Sequence, residues 1–399
     1  MNDALFVGGT MILPDRLVAG SLRVQAGRIA EVVEGFTPIV AATKPIDLSG
    51  LLIAPGFIDL HVHGGDGSDF MDATADAFRT VCRAHLRHGT TSLLPTSTVA
   101  GDEQIMSFLD FCRRCQESNL DGARVLGAHF YGPYFAPEAG GCHPGAELRS
   151  PTSVEFSRYL EFSDAIRIAT VAPELPEAEA FVRACIARGV RCNAGHTHAT
   201  FDRMADAVMW GVRHVDHLFC AMSDRAKLRQ SQTYPMRGGV MEATLYFDEL
   251  TTEVIADGKH LSPELLRLAL KAKGPDRLAL VTDCSRALDM PDGEYQFGPL
   301  VGGERFLRHD GVGIMIDGKS LASSVMGMDH MVRTFRHGTG TSLPEVIRMA
   351  TLTPAKIAGV DQEFGSLSVG KRADLVILDQ SLHVMSVYQD GECTYSATR

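Results

Sequence analysis

The chain has 399 residues, of which 45% are hydrophobic and 22% charged, and its formal net charge is −11. This composition is typical of a folded globular protein and excludes a disordered or fibrous chain. The acidic balance and the lack of a basic run argue against a nucleic-acid partner. No apolar run approaches the ~20 residues that cross a bilayer, so we expect no membrane partner. The first residues, Met1 to Ala4, have no positive region that leads into a long apolar stretch, so we expect no signal peptide.

Cysteine usage indicates a reducing compartment. The nine cysteines are odd in number and scattered along the chain, which favours free thiols and a cytoplasmic location over a disulfide framework. Cys112 and Cys115 form a CxxC motif, but they lie in a predicted helix without a second pair. We therefore interpret them as ordinary helix cysteines rather than as a zinc or redox motif.

Both ends of the chain predict β-strands. Residues 4–12 and 20–33 alternate or run apolar around glycine turns, and two stretches after residue 365 have the same character. Neither end is long enough to close a hydrophobic core by itself. We therefore expect one small β-sandwich domain assembled from both termini, comprising residues 1–54 plus 353–399.

Between the two ends, predicted strands and helices alternate. The strands are predicted at 57–63, 91–95, 124–131, 166–172, 190–196, 214–219, 250–256 and 277–283. The helices are predicted at 74–88, 102–116, 176–188, 200–211 and 262–273. Eight strands with helical crossovers predict an α/β fold, a (β/α)8 barrel over residues 55–352. A doubly wound sheet is the alternative, but no GxGxxG follows the first barrel strand.

Ligand-type side chains fall at the carboxyl ends of these strands. His61 and His63 are two residues apart on one predicted strand, so both side chains leave it on the same side. His196 ends the fifth predicted strand, His217 lies within the sixth, and Asp283 ends the eighth. Because that end of a barrel carries the active site, these residues predict a divalent metal site.

The motif PGFIDLHVHGG at 55–65 resembles the first-strand metal motif of the amidohydrolase superfamily. The resemblance narrows to the N-acetylglucosamine-6-phosphate deacetylase family and runs nearly end to end. The other similar segments follow in order at 128–146, 194–222, 255–260, 274–284, 291–295, 320–329 and 370–379.

This resemblance implies a metal-dependent hydrolase that removes an N-acetyl group from an amino sugar, N-acetylglucosamine 6-phosphate or a close relative. His196 and His217 would hold one metal, and His61 and His63 would help to hold a second. Asp283 would also face the metal, take a proton from the attacking water and pass it to the leaving amine.

The resemblance also implies a substrate site and a homodimer. His143 would polarise the scissile carbonyl, with Cys142 beside it, and His260 would contact the sugar. Cys220 and Ala221 fall where the family holds the substrate phosphate.

The sequence departs from the family at the metal site. The metal-binding glutamate of the family falls on Tyr131, and a phenol with a pKa of ~10 is a poor ligand. Either one metal is lost or the site reorganises, and we favour a single metal. The residues left to hold it are His61, His63, His196 and Asp283. His217 would then serve the substrate.

The phosphate site departs from the family as well. Cys220 stands where the family has asparagine, and the phosphate-binding arginine has no clean match. The stretch 223–239 offers Arg225, Arg229 and Arg237, which we interpret as solvated loop residues because an arginine clamp must aim its fork at the phosphate.

Three functions follow from these residues. The leading one is the deacetylase, with zinc as the expected metal, one or two per chain, and iron or manganese as the alternatives. The second is an amidohydrolase-superfamily hydrolase or deaminase that acts on a different amide, a lactone or an amine. The third is a catalytically silent paralogue, which only the lost glutamate ligand supports.

Overall fold

Eight parallel strands form a closed ring at the centre of the protein. The computed structural model describes residues 3–35, 45–116, 118, 120–230 and 234–397. Two parallel sheets make up the ring, and isolated bridges between Thr96 and His129 and between Val62 and Cys284 join them at both edges. The strands are Phe57–Val62, Thr90–Pro95, Arg124–Val125 continued by Ala128–Tyr131, Ile166–Val171, Arg191–Ala194, His214–Val215, Thr251–Ile255 and Leu278–Val281.

Helices follow the strands of the ring, as the alternating pattern predicts. They span Ala75–Arg87, Asp102–Cys115, Ser153–Tyr159, Ala178–Ile186, Phe201–Trp210, Arg225–Leu228, Val240–Tyr246, Pro263–Lys273, Met328–Thr339, Leu343–Ala350 and Leu352–Ala358. Capping side chains and glycines determine where several of these helices begin and end. The helix Phe201–Trp210, for example, begins where the Thr200 side chain accepts from the Arg203 N–H and ends at Gly211, whose φ is 117°.

Strands from both ends of the chain form one further sheet. Its order is Glu392–Ser396, Val384–Gln389, Leu375–Leu378, Leu52–Pro55, Ala4–Ile12, Leu17–Gln25 and Arg28–Glu34, with Ile46–Asp47 beside Ala4–Ile12. This sheet has its own buried core, which includes Phe6, Leu22 and Ile377. The residue bounds of the two domains stay predictions.

A separate antiparallel sheet lies close to one end of the ring. Its strands are Gly293–Phe297, Glu304–His309 and Val312–Met315. Phe297 from this sheet is buried against the rings of His63 and His143, with centroids 5.0 and 5.2 Å away. The sheet therefore brings an apolar side chain over the end of the barrel where the strands finish.

Three predicted strands are wrong in extent. The stretch 20–33 is two strands, because Ala26 and Gly27 turn with φ values of 52° and 76°. The stretch 124–131 is also divided, at Leu126 and Gly127. The predicted strand 214–219 ends at Val215, so its last residues belong to the loop at the barrel end.

The structure also shows the state of the cysteines and the character of the helices. The nine cysteines, all within the described ranges, are free thiols, and Cys112 and Cys115 are buried in the helix Asp102–Cys115. In the part of the chain that the structure describes, no helix combines the length and apolarity needed to span a bilayer.

Candidate active site

Three polar residues occupy the same position relative to their strands. His196, His217 and Asp283 each lie two residues beyond a strand end, and each has a left-handed backbone, with φ values of 44°, 23° and 46°. This conformation is uncommon for residues other than glycine and turns the chain sharply. All three line one cavity of about 500 Å³ at the barrel end. The prediction that His217 lies within the sixth strand is therefore wrong, although it reaches the predicted site.

Asp283 lies beside the two histidines of the first barrel strand. Its Oδ1 atom is 3.2 Å from His63 Nε2 and 3.7 Å from His61 Nε2. Burial disfavours the charged carboxylate, but the charges of His61 and His63 outweigh this effect and hold the pKa of Asp283 below its ordinary value. The carboxylate is therefore ionised at neutral pH and able to accept a proton.

His61 is buried between two carboxylates. Burial disfavours its charged form, but Asp283 and Glu253 outweigh that effect and raise the pKa of His61 to about 9. Its Nδ1 atom is 2.7 Å from Glu253 Oε1. The imidazole is thus fixed at one nitrogen and faces Asp283 with the other.

Tyr131, which stands where the family places a glutamate, contacts His217. The phenol oxygen is 2.6 Å from His217 Nε2. Burial, and then the nearby carboxylates, raise the pKa of Tyr131 well above its ordinary value, so the phenol stays protonated. Burial lowers the pKa of His217 to about 4, so its ring is neutral and Nε2 can accept the phenol proton.

A divalent metal fits the nitrogen and oxygen atoms gathered here. Ligand atoms of His61, His217 and Asp283 lie within 4.8 Å of one another. Among the described residues, His61 Nε2 is buried without a hydrogen-bond partner, which is costly unless another group satisfies it. Imidazole and carboxylate together suit zinc, iron or manganese.

The other two predicted ligands lie beside this group. His63 Nε2 contacts Asp283, and His63 Nδ1 is 3.2 Å from the Thr96 carbonyl oxygen. His196 Nδ1 donates to the Ala139 carbonyl oxygen at 2.6 Å, which leaves Nε2 of that ring without its proton. All five predicted ligands therefore converge, although only three offer atoms in the tightest group.

His143 has a defined tautomer. Its Nδ1 atom accepts from the Val99 backbone N–H at 3.3 Å, so a neutral His143 carries its proton on Nε2. Burial, and then the charge of His196, lower the pKa of His143 well below its ordinary value, which keeps the ring neutral. The ring lines the cavity and can donate from Nε2 to a substrate oxygen.

The predicted substrate residues lie in the same cavity. His260, Cys220, Ala221 and Cys142 all line it. Burial raises the pKa of Cys220 to about 12 and also raises that of Cys142, so both stay as thiols at neutral pH. His260 is held by Asp257, whose Oδ2 atom is 2.7 Å from His260 Nδ1.

Sequence patterns missed two cations at this cavity, Lys227 and Lys319. The three arginines of the stretch 223–239 are exposed and lie outside the cavity lining, as expected for solvated loop residues. Residues 231–233 of that stretch fall outside the described part of the chain. Lys227 lies between two of the arginines, in a stretch where the family pattern predicts an arginine and gives no signal for a lysine.

Glu253 is a further residue that the sequence did not single out. It lies in the middle of the strand Thr251–Ile255 and is buried. A charged residue inside a buried strand is itself a signal, because ionised side chains are almost never fully buried without partners. Its partners are two histidines, His61 and His214.

Comparisons with known proteins agree with this geometry. The model of the amidohydrolase family matches residues 52–396. The N-acetylglucosamine-6-phosphate deacetylase of Homo sapiens is 34% identical, and the match spans 99% of this chain and 95% of the human protein. The N-acetylgalactosamine-6-phosphate deacetylase of Escherichia coli O157:H7 is also 34% identical, over 89% of this chain and 92% of that protein.

A solved structure supports the fold over its whole length. A variant of the N-acetyl-D-glucosamine-6-phosphate deacetylase of Mycobacterium smegmatis, in complex with N-acetyl-D-glucosamine-6-phosphate, superposes with a TM-score of 0.90 at 29% identity. The match covers 99% of this chain and 100% of that one, which confirms the predicted barrel with its small β-domain. The chain therefore belongs to the amidohydrolase family, in the branch of the N-acetylglucosamine-6-phosphate deacetylases.

Proposed function

We propose that the chain removes the acetyl group from an N-acetylated amino-sugar 6-phosphate, N-acetylglucosamine 6-phosphate or a close relative. Its family and relatives make it a hydrolase of amide bonds. The observation that carries the proposal is the placement of an ionised Asp283 beside His61 and His63, in a cavity that His143 also lines. A base and a hydrogen-bond donor facing one cavity are what amide hydrolysis requires.

Proton transfer is assigned to Asp283. Its carboxylate accepts a proton from the attacking water and then donates it to the nitrogen of the leaving amine, which would otherwise depart as an unstable anion. His63 Nε2 lies 3.2 Å from Oδ1, so the carboxylate and the histidine pair of the first barrel strand face the same point of the cavity.

His143 is assigned to the carbonyl oxygen of the substrate. Because Val99 fixes the tautomer, Nε2 donates to the oxygen as negative charge develops on it. Because the Tyr131 phenol engages the acceptor nitrogen of His217, the divalent metal would be held by His61, His63, His196 and Asp283. When bound, that metal supplies a Lewis acid and lowers the pKa of water.

The proposed phosphate partners are Lys227 and Lys319. Both line the cavity, and Lys227 Nζ donates to the Met222 carbonyl oxygen at 2.7 Å, which holds the ammonium group at the rim. A lysine ammonium binds phosphate as a point charge and needs no fixed planar geometry. A sugar phosphate therefore suits this cavity, although its lining includes no arginine among the described residues.

We propose a single zinc ion per chain. The contact of the Tyr131 phenol with His217 Nε2 supports one metal, because it engages that nitrogen and a neutral phenol is a poor ligand. The homodimer and the cytoplasmic location stay predictions from the family resemblance and from cysteine usage.

Acetate release tests the proposed function. Zinc-loaded protein is given N-acetylglucosamine 6-phosphate, N-acetylgalactosamine 6-phosphate and unphosphorylated N-acetylglucosamine, with the Asp283→Asn variant as the control. We expect turnover of at least one phosphorylated sugar, a weak reaction without the phosphate, and none with Asp283→Asn. Folded, metal-loaded protein that releases no acetate from any of them would favour a different amide, lactone or amine substrate.

A further inference from the structure

Glu253 contacts two histidines at the candidate metal site. Its Oε1 atom is 2.7 Å from His61 Nδ1, and the same oxygen accepts from the backbone N–H of His217 at 3.4 Å. Glu253 is 1% exposed and His61 is 0% exposed, so water does not compete for these contacts. One buried carboxylate thus touches the ring of one histidine and the backbone of another.

This contact decides which nitrogen of His61 is free. A carboxylate can only accept hydrogen bonds, so Nδ1 of His61 carries the proton that Glu253 receives. In the neutral ring, Nε2 then has its lone pair exposed, and this is the buried atom without a hydrogen-bond partner among the described residues. That lone pair faces the region between Asp283 and His217.

The second oxygen of Glu253 contacts a histidine of the neighbouring strand. Oε2 is 3.1 Å from His214 Nε2, and His214 Nδ1 is 2.7 Å from Thr251 Oγ1. Because both carboxylate oxygens are held, Glu253 cannot rotate away from His61. The chain of contacts runs from the base of the barrel to the metal site.

We propose that Glu253 is the positioning residue that fixes the tautomer and orientation of His61 for the metal; this rests on the proposed metal site. Carboxylates that accept from a metal-binding imidazole raise the basicity of the ligand and hold its ring in place. Glu253 acts only through His61 and His217 and does not touch the substrate cavity.

Glu253 and its neighbours do not form a metal site of their own. Ligand atoms of His214, Asp216 and Glu253 also lie within 4.8 Å of one another. Both oxygens of Asp216 are already satisfied, by Asn193 Nδ2 at 2.6 Å and by Thr170 Oγ1 at 2.7 Å. Hydrogen bonds within the protein therefore explain this buried cluster.

Asp216 offers a matched control because it is a buried carboxylate in the same cluster with no hydrogen bond to a proposed ligand side chain. The test compares Glu253→Ala with Asp216→Ala, and the conservative variant Glu253→Gln with Asp216→Asn. The apoproteins compete for Zn²⁺ with a chromogenic chelator, and circular dichroism reports their thermal unfolding without metal. Neither readout depends on the substrate.

We expect Glu253→Ala to weaken Zn²⁺ binding about 10- to 100-fold, the usual effect of losing such a partner. Glu253→Gln keeps one acceptor for His61, so its affinity lies between those of the wild type and Glu253→Ala. Asp216→Ala and Asp216→Asn lower the melting temperature but leave the Zn²⁺ affinity within about twofold of wild type. The reason is that Asp216 accepts hydrogen bonds from Thr170 and Asn193 and not from a proposed ligand side chain.

Two results would overturn the proposal. One is a folded Glu253→Ala apoprotein that binds Zn²⁺ as tightly as the wild type. The other is an equal loss of affinity in the matched Asp216 variant, which would mean that any damage to the cluster has the same effect. If Glu253→Ala does not fold, Glu253→Gln and Asp216→Asn decide by the same criteria. A wild type that binds no Zn²⁺ would instead contradict the proposed metal site.

Discussion

At the scale of single residues, Tyr131 is the main difference between this chain and the family pattern. Its buried ring packs on His61 with centroids 4.4 Å apart and on Phe135 at 4.8 Å. The phenol donates to His217 and stays neutral because burial raises its pKa. In the family pattern this position supplies an anionic glutamate ligand, whereas in this chain it supplies a neutral phenol donor. The site therefore has less negative charge with which to bind a second cation.

Replacing Tyr131 by glutamate is expected to raise the metal content. Tyr131→Glu places an ionisable oxygen ligand beside His217 and His196, so we expect zinc to rise from about one to about two per chain. Elemental analysis of protein purified without chelator measures this ratio. Tyr131→Phe is the control and is expected to retain one. A wild-type protein that already holds two metals contradicts the interpretation.

Lys227 is expected to act on the phosphate and not on the chemistry. Lys227→Ala removes one ammonium group from the cavity rim, so KM for the phosphorylated sugar should rise about tenfold, in line with the loss of one charge-assisted hydrogen bond. The kcat value should change little, because Asp283 and His143 are untouched. Steady-state kinetics decide this, with Arg229→Ala as the matched control outside the cavity lining. Equal effects in the two variants would exclude Lys227 as a phosphate partner.

At the scale of elements, the sequence predicts the alternation of strands and helices in the barrel better than it predicts the residues at which each strand ends. The pairing of His61 with His63 follows from the two-residue period of a strand, and the structure places both beside Asp283. The apolar residues Val215, Leu218 and Phe219 around His217 predict a strand that continues to residue 219, whereas the hydrogen-bonded strand stops at Val215. Glu253 could not be assigned, since its role depends on His61, 192 positions away along the chain.

His88 joins two helices of the barrel through ion pairs. It follows the helix Ala75–Arg87, its Nδ1 atom is 2.8 Å from Asp329 on the helix Met328–Thr339, and its Nε2 atom is 3.1 Å from Asp289. Burial disfavours the charged ring, but the hydrogen bonds and charges of Asp289 and Asp329 outweigh it and raise the pKa of His88 to about 9. The imidazolium thus forms the contact between the helices.

The stabilisation by His88 is expected to depend on pH. The folded pKa of about 9 lies above the unfolded value of ~6.5, so the contribution is complete below pH ~6.5 and is lost as the pH rises towards 9. We expect His88→Gln to reduce the free energy of unfolding by on the order of 2 kcal/mol at pH 6 and by much less at pH 9.5. Urea unfolding at both pH values measures this difference. An effect that is the same at both pH values would mean that packing, and not charge, explains the role of His88.

At the scale of the whole molecule, the small sheet depends on both ends of the chain. The strand Leu375–Leu378 lies between Leu52–Pro55 and Val384–Gln389, in the interior of the sheet. Contacts also tie this sheet to the barrel. Arg124 in a barrel strand is 3.1 Å from Asp390, and Gln389 Nε2 donates to the Thr91 carbonyl oxygen at 3.0 Å. Alternating apolar residues predict that the two ends meet, but pairing order depends on contacts that local patterns do not encode.

Shortening the chain from its carboxyl end is expected to have a graded effect. A chain that ends at Gly391 loses only the edge strand Glu392–Ser396 and should keep most of its thermal stability. A chain that ends at Ala373 loses Leu375–Leu378 and leaves Leu52–Pro55 with an unpaired edge, which favours aggregation. Thermal unfolding and size-exclusion chromatography compare the two. Equal stability of both truncations would contradict a central role for Leu375–Leu378.

The strand order of this sheet has a consequence for biosynthesis. The hairpin of Ala4–Ile12 with Leu17–Gln25 can pair as soon as it leaves the ribosome, because its partners are adjacent in the chain. The strand Leu52–Pro55 can pair with Ala4–Ile12 on one side, but its other edge must wait for Leu375–Leu378, which is made only after every barrel strand. Until translation nears completion, the nascent chain therefore carries an open strand edge, and a chaperone that shields such edges would be needed longest by this amino-terminal segment.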